Sequence, residues 1–375
     1  MKIAPFKLEE FWKKYEFCTK YLLCASDPES WTLQELLELA DPDSRKLWDT
    51  LWLGYTESPG HPLLREEIAK LYNTIDSEQI LTTAGAEEGI FCSLQCLVSP
   101  GDHVIVISPC YESLEAIPRS LNAEITSIRL NEKKQWKLSL DDLKRAFRVN
   151  TKALILNFPH NPTGVLLDPD VYEGMIELAR KNGAYILCDE VYRYMEVDES
   201  KRLPAMVDGY EKGISLNVMT KSFGLSGLRI GWLASRDESF MQKARAYKLY
   251  LSICNSAPSE ILAIIALRAK DKILQRNRAI MLRNLELLDK FFEKHSDKFR
   301  WIRPESGTIA FVELLLPIPI DKLVEEMAAK AGVLVMPGSV FDFPGNYFRI
   351  GYGRKNMPEA LEHFEKFVEF YAHHH

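Results

Sequence analysis

The stretch ISLNVMTKSFGLSGLRIGW, residues 214–232, runs from a β-branched apolar segment into Lys221, continues through small residues and reaches Arg229 eight positions later. An apolar run of this kind reads as a strand buried on both faces, with a cation placed at its C-terminal end. Three other short runs share its character: HVIVIS at 103–108, ALILNF at 153–158 and AYILCDEV at 184–191. Helical patterns lie between them, AEEGIFCSLQCLV at 86–98 and DPDVYEGMIELARKNG at 168–183, the second stopped by Gly183. The alternation predicts an α/β fold with a mainly parallel central sheet, whose ligands bind outside the carboxyl ends of the strands. Lys221 stands at one such end.

Outward from this core, 375 residues exceed what one hydrophobic core usually holds, so two domains are expected. Residues 256–294 carry apolar side chains at helical spacing with no proline after Pro258, which predicts a helix crossing into a second domain. Strand candidates TIAFVELL (308–315) and YFRIGY (347–352) follow it. The expected division is an N-terminal arm at 1–45, a large domain at 46–255, and a linking helix with a smaller α+β domain at 256–372. The arm segments EFWKKYEF and WTLQELLELA are amphipathic but too short to make a core, so they are expected to pack with the small domain. The histidines at 373–375 read as a purification-tag remnant.

The apolar and charged fractions, 46% and 27%, are those of ordinary globular proteins. A net charge of -6 and a pI near 5.9 argue against binding nucleic acid, and no run of about 18 apolar residues exists to span a membrane. A small molecule is the expected partner. Seven cysteines with no CxxC pair read as reduced core residues, and no metal is expected. The opening MKIAPFKLEE lacks a signal-peptide pattern, which points to the cytoplasm.

Pyridoxal phosphate asks five things of a protein: a lysine for the Schiff base, a carboxylate opposite the pyridine nitrogen, partners for the ring oxygen, an aromatic face and an anion cradle. The motifs TKSFGLSGLRIGW, NFPHNPTG and CDEVY resemble the signatures of the fold-type I, class I/II aminotransferases, in family order from about Gly54 to Arg349. The resemblance implies a large cofactor domain and a smaller α+β domain. It implies that Lys221 forms the Schiff base and moves the proton at Cα, with Asp189 opposite the pyridine nitrogen. Asn161 and Tyr192 would bond the ring oxygen, and Tyr111 of SPCYES would stack on the ring. Gly85, Ala86 and Glu87, opening a helix after ILTTA, would cradle the phosphate with Arg229. Tyr55 of GYTESPG would reach the neighbouring subunit's phosphate, which implies a homodimer. Arg349 would clamp the substrate α-carboxylate. One departure stands out: relatives commonly have serine three residues before the lysine, and here Val218 occupies that place, leaving Thr220 to supply a hydroxyl.

The reaction depends on the substrate side chain. Where these aminotransferases usually carry an apolar LxxGxPD segment, this sequence has YLLCASDPESWTL (21–33), with Ser26, Asp27 and Glu29, and His61 follows Gly60. Two acids would suit a cationic substrate, and the segment resembles a subgroup with capreomycidine synthase and enduracididine-forming enzymes, which cyclise hydroxylated arginines by losing the hydroxyl. Ordinary transamination with 2-oxoglutarate is the alternative, in which Asp27 and Glu29 merely start the helix of WTLQELLELA. A third reading, the aminotransferase-like half of a transcription regulator, predicts an attached DNA-binding domain; the first 45 residues contain no basic helix-turn-helix pattern.

Overall fold

In a computed structural model that describes residues 3–374, with side chains as far as Tyr371, seven strands form the larger sheet. The histidine run at 373–375 falls outside the described side chains. The strands are β1 (Ile80–Thr83), β2 (His103–Ser108), β3 (Glu124–Arg129), β4 (Thr151–Asn157), β5 (Tyr185–Asp189), β6 (Gly213–Val218) and β7 (Gly231–Ser235). Their order is β1-β7-β6-β5-β4-β2-β3. The pairs from β3 to β6 are parallel, and β7 alone runs against its neighbours β1 and β6. The four apolar runs of the sequence are β2, β4, β5 and β6, buried on both faces by helices. Edge strand β3, EITSIR, is largely exposed and carries no such signal.

Four antiparallel strands make the second sheet in the order β10-β11-β9-β8: β8 (Phe299–Arg300), β9 (Ile309–Leu314), β10 (Met336–Pro337) and β11 (Tyr347–Gly351). The helical run before it is two helices, Ala257–Arg268 and Lys270–Lys294, broken at Ala269. The first is buried almost all round, whereas the second turns its apolar stripe, including Met281, Leu285, Leu288 and Phe292, onto the small sheet. A single straight helix could not serve both cores.

The N-terminal helices are α1 (Lys7–Tyr15), α2 (Leu33–Leu37), α3 (Pro42–Asp49), α4 (Pro62–Ala69) and α5 (Ala86–Leu97). The first 45 residues do not form one arm. Residues 21–25 run beside the small sheet, with the Tyr21 N–H donating to the Gly332 carbonyl at 2.9 Å and the Gly351 N–H to the Leu23 carbonyl at 2.9 Å. Glycine is required at 351, since a Cβ there would lie 2.0 Å from the Ala25 carbonyl oxygen. Helices α2 and α3 lie instead on Ala257–Arg268, which also carries α4, joined through a core that includes Leu36, Leu64 and Ile264. Thr32 caps α2 in a reciprocal box with Glu35, so Asp27 and Glu29 do not start that helix. All seven cysteines are free thiols. Among the described residues no helix is long and apolar enough to cross a membrane.

Candidate active site

The ends of β4 and β5 stand level, with Asn157 in register with Asp189. Asn157 ties three pieces together: its Nδ2 donates to the Asp189 carbonyl at 2.7 Å, and its Oδ1 accepts from the Asn161 N–H at 2.9 Å. The NFPHNPTG loop is thereby pinned to the end of β5. The Asp189 carboxylate accepts from the Val191 N–H at 3.1 Å and faces a cavity of about 420 Å³. Lys221, three residues past β6, enters the same cavity and donates to the Ser26 hydroxyl at 2.9 Å. Arg349, on β11 of the small sheet, is buried there and donates to Asn161 Oδ1 at 3.1 Å and to the Cys24 carbonyl at 3.0 Å. Residues from both sheets and from the segment after Tyr21 therefore meet at the carboxyl edge of the large sheet.

Two buried polar atoms in this cavity lack hydrogen-bond partners, the Tyr192 hydroxyl and Arg349 Nε. The Tyr192 hydroxyl lies near Ser26 but makes no well-formed bond to it. Desolvation lowers the Lys221 amine to about 8, with the Asp27 carboxylate opposing and Arg349 adding to the shift. Desolvation raises the Asp189 carboxyl to about 7, against the Val191 N–H and Lys221. An amine near 8 has a useful neutral, nucleophilic fraction at physiological pH.

At the other end of the cavity, α5 begins at Gly85, whose φ of 84° is left-handed. A Cβ on Gly85 would come within 2.4 Å of Arg229 Nη2. Only glycine lets that guanidinium approach the first N–H groups of α5, those of Ala86 and Glu87. Unpaired helix N–H groups beside a cation make an anion cradle. Thr220 and Ser226 bring hydroxyls to the same wall, while Val218 packs with Val191, Tyr192 and Ile309 and presents an apolar surface. Tyr111 closes one side, its ring edge-on to Phe6 at 5.4 Å. The Glu87 carboxylate accepts from the Ser113 hydroxyl at 2.8 Å. An anion cradle, a desolvated lysine, a buried carboxylate and an unsatisfied tyrosine hydroxyl around one cavity fit pyridoxal phosphate.

Three sequence expectations fare differently. Asp27 lines the cavity, but its carboxylate already accepts from Arg354 at 2.9 Å. Glu29 does not: it turns away to accept from the Lys355 N–H at 2.9 Å. His61 is also outside, its Nδ1 capping α4 by accepting from the Leu63 N–H at 3.2 Å. Backbone N–H groups capture both side chains, two residues away for His61 and across the fold, 326 residues away, for Glu29. Tyr55 is 85% exposed, outside the cavity. The residues that sequence reading passed over are Asn157, Ser226, Arg354 and one face of α1. Asn157 had a signal, as the first letter of NFPHNPTG.

The aminotransferase class I and II family model matches residues 20–364. The protein is 27% identical over 346 residues to the aspartate aminotransferase of Pyrococcus horikoshii, covering 87% of this sequence and 86% of that one. It is 27% identical over 348 residues to capreomycidine synthase of Streptomyces vinaceus, covering 92% and 88%. A PLP-dependent aminotransferase of known crystal structure from Streptococcus suis 89-1591 superposes with a TM-score of 0.93 at 33% identity, covering 98% of each of the two proteins.

Proposed function

The protein belongs to the aminotransferase class I and II family, whose cofactor is pyridoxal phosphate, and from that premise we propose that it acts at Cα of a cationic, arginine-like amino acid. In the proposed reaction a hydroxylated arginine loses its hydroxyl by cleavage of that C–O bond, and a guanidine nitrogen bonds to the vacated carbon. The hydroxyl departs as water with one guanidine proton, and the amino nitrogen is retained. The observation that carries this reading is a set of acids lining the cavity, Asp27, Glu9 and Glu16, of which Asp27 is after desolvation the strongest influence on the Lys221 amine. The likeness to capreomycidine synthase across most of the sequence supports it.

Bound in this cavity, pyridoxal phosphate supplies a sink for the electron pair left when Cα loses its proton. Lys221 would carry that proton away and return it, which its depressed basicity suits. Asp189 would stand as a carboxylate opposite the pyridine nitrogen and keep that nitrogen protonated, while Tyr192 and Asn161 would orient the ring oxygen. Gly85, Ala86, Glu87, Thr220 and Arg229 would hold the phosphate. Arg349, with Nε unpaired, would fork onto the α-carboxylate.

Transamination with 2-oxoglutarate is the second reading, favoured by the aspartate aminotransferase relative and by Arg354, which already engages Asp27. The experiment is mass spectrometry of the holoenzyme with β- and γ-hydroxyarginine, with and without 2-oxoglutarate. Loss of the mass of water without a keto acid supports cyclisation. Stoichiometric glutamate with no dehydrated product replaces it with transamination.

We also infer a cytoplasmic homodimer that binds no nucleic acid. Trp52, Leu53, Tyr55 and Tyr250 are 78, 79, 85 and 92% exposed. The Thr56 hydroxyl donates to the Asn255 carbonyl at 3.2 Å, so the two segments adjoin. Adjoining exposed apolar side chains of this size suit burial by a second copy.

A further inference from the structure

Helix α1 lays one face over the mouth of the cavity. Glu9, Trp12 and Glu16 all line it, spaced three and four residues apart and therefore on one side of the helix. Residues 7–16 include six charged side chains, and four are paired. Lys7 meets Asp342, Lys13 meets Glu10 at 3.9 Å, and Lys14 meets Glu325 at 3.4 Å. The Glu9 and Glu16 carboxylates have no ion pair or hydrogen bond among the described residues, and Lys221 and Arg229 act on Glu9 only at longer range. They feel each other: after desolvation, the Glu16 charge is the next influence raising the Glu9 carboxyl above its usual range. A helix that pairs every other charge leaves two repelling carboxylates at the cavity mouth, with an indole between them.

The cavity beneath also points to a ligand. The Tyr192 hydroxyl and Arg349 Nε, on residues 1% and 2% exposed, are unpartnered within it. Arg349 offers a cation for the α-carboxylate at the floor, so the side chain of such a substrate extends toward the mouth. Asp27, which also lines the cavity, is already engaged by Arg354. The uncommitted negative charge lies on α1.

We propose that Glu9, Trp12 and Glu16 form the specificity subsite for the substrate's cationic side chain, with a guanidinium plane on the indole and its N–H edges on the two carboxylates. The inference rests on the arginine-like substrate class proposed above. Seven residues of helix separate the carboxylates by about 10 Å along the axis, roughly the span of a guanidinium bonded on both edges. Trp is the preferred cation–π face, and guanidinium, unlike ammonium, is planar enough to use all three partners.

The test is calorimetric binding of L-arginine and of its neutral isostere L-citrulline to the holoenzyme. Wild type should prefer arginine. The double variant Glu9→Gln, Glu16→Gln should lose about tenfold or more in arginine affinity while citrulline changes by less than about twofold. Trp12→Leu should weaken arginine, and Trp12→Phe should restore most of it. A double variant that keeps the wild-type arginine-to-citrulline ratio overturns the subsite while leaving the substrate class standing. Equal losses for both ligands would mean that α1 only seals the cavity, and would overturn it too. No preference in wild type would remove the substrate class, and the subsite with it.

Discussion

The floor and the mouth of the cavity are built differently. At the floor, Asp189 and Asn157 sit at the ends of strands buried on both faces, and Arg349 sits inside a strand of the small sheet. Each is fixed by backbone and side-chain hydrogen bonds of 2.7 to 3.1 Å. At the mouth, α1 is anchored by one buried side chain, Leu8, and otherwise touches the body through half-buried contacts such as its N-cap Phe6 on Tyr111 and through surface ion pairs. A reaction centre demands placement within fractions of an ångström, which strand ends provide. Choice among substrates can rest on a helix that adjusts. The contrast predicts that changes at the floor erase activity, whereas changes at the mouth alter preference.

Lys221→Ala tests the floor most severely. Turnover should fall by about 10³-fold or more, with loss of the cofactor's Schiff-base absorbance. Lys221→Arg should not rescue it, since a guanidinium cannot serve as the amine. Residual wild-type turnover in either variant would break the distinction.

Asp189→Asn keeps volume and removes charge, so the cofactor should remain while proton removal at Cα slows by about 10²- to 10³-fold, read by single-turnover kinetics. The same variant has a pH signature in cofactor-free protein. An unfolded Asp titrates near 4, and the folded carboxyl titrates at about 7. The folded state therefore binds the proton more tightly, and stability falls as pH rises through about 4 to 7. Thermal melts across that window should show a shallower slope in the variant than in wild type, the remainder coming from the buried Glu190 and Glu260 carboxyls, which burial also raises to about 7.

Gly85→Ala sharpens the comparison at the phosphate end. With φ at 84° and a Cβ 2.4 Å from Arg229, the variant must displace the guanidinium. Cofactor retention on dialysis should weaken by about tenfold. The smallest effect belongs to Thr32→Ala, which removes the α2 capping box. It should cost about 1 kcal/mol in denaturant melts and leave arginine-to-citrulline preference unchanged.

The same contrast decides what could be read from the sequence. Strands β2, β4, β5 and β6 were legible because burial on both faces leaves an unbroken apolar run, and of the floor residues Asp189 and Arg349 were singled out through motifs that resemble the family's, whereas Asn157 was passed over. The polar edge strand β3 and the short β8 and β10 carry no such pattern. Nor did any local signal announce the bond between Lys221 and Ser26, 195 residues apart. Glu29 and His61 misled because position in sequence does not say where a side chain points. The face of α1 is amphipathic like that of any surface helix, and only tertiary placement shows that part of its polar side meets a cavity.

The tethers of α1 have a consequence for behaviour in concentrated electrolyte. Lys7–Asp342 and Lys14–Glu325 join exposed side chains, more than half accessible on each member except Lys7 at 50%. Such pairs are weak and are screened once the Debye length shrinks to about 3 Å at 1 M ionic strength. The hydrogen bonds at the cavity floor are shielded from mobile ions. Raising ionic strength should therefore loosen discrimination among amino acids before it touches the chemical step, so the enzyme becomes less selective while remaining competent.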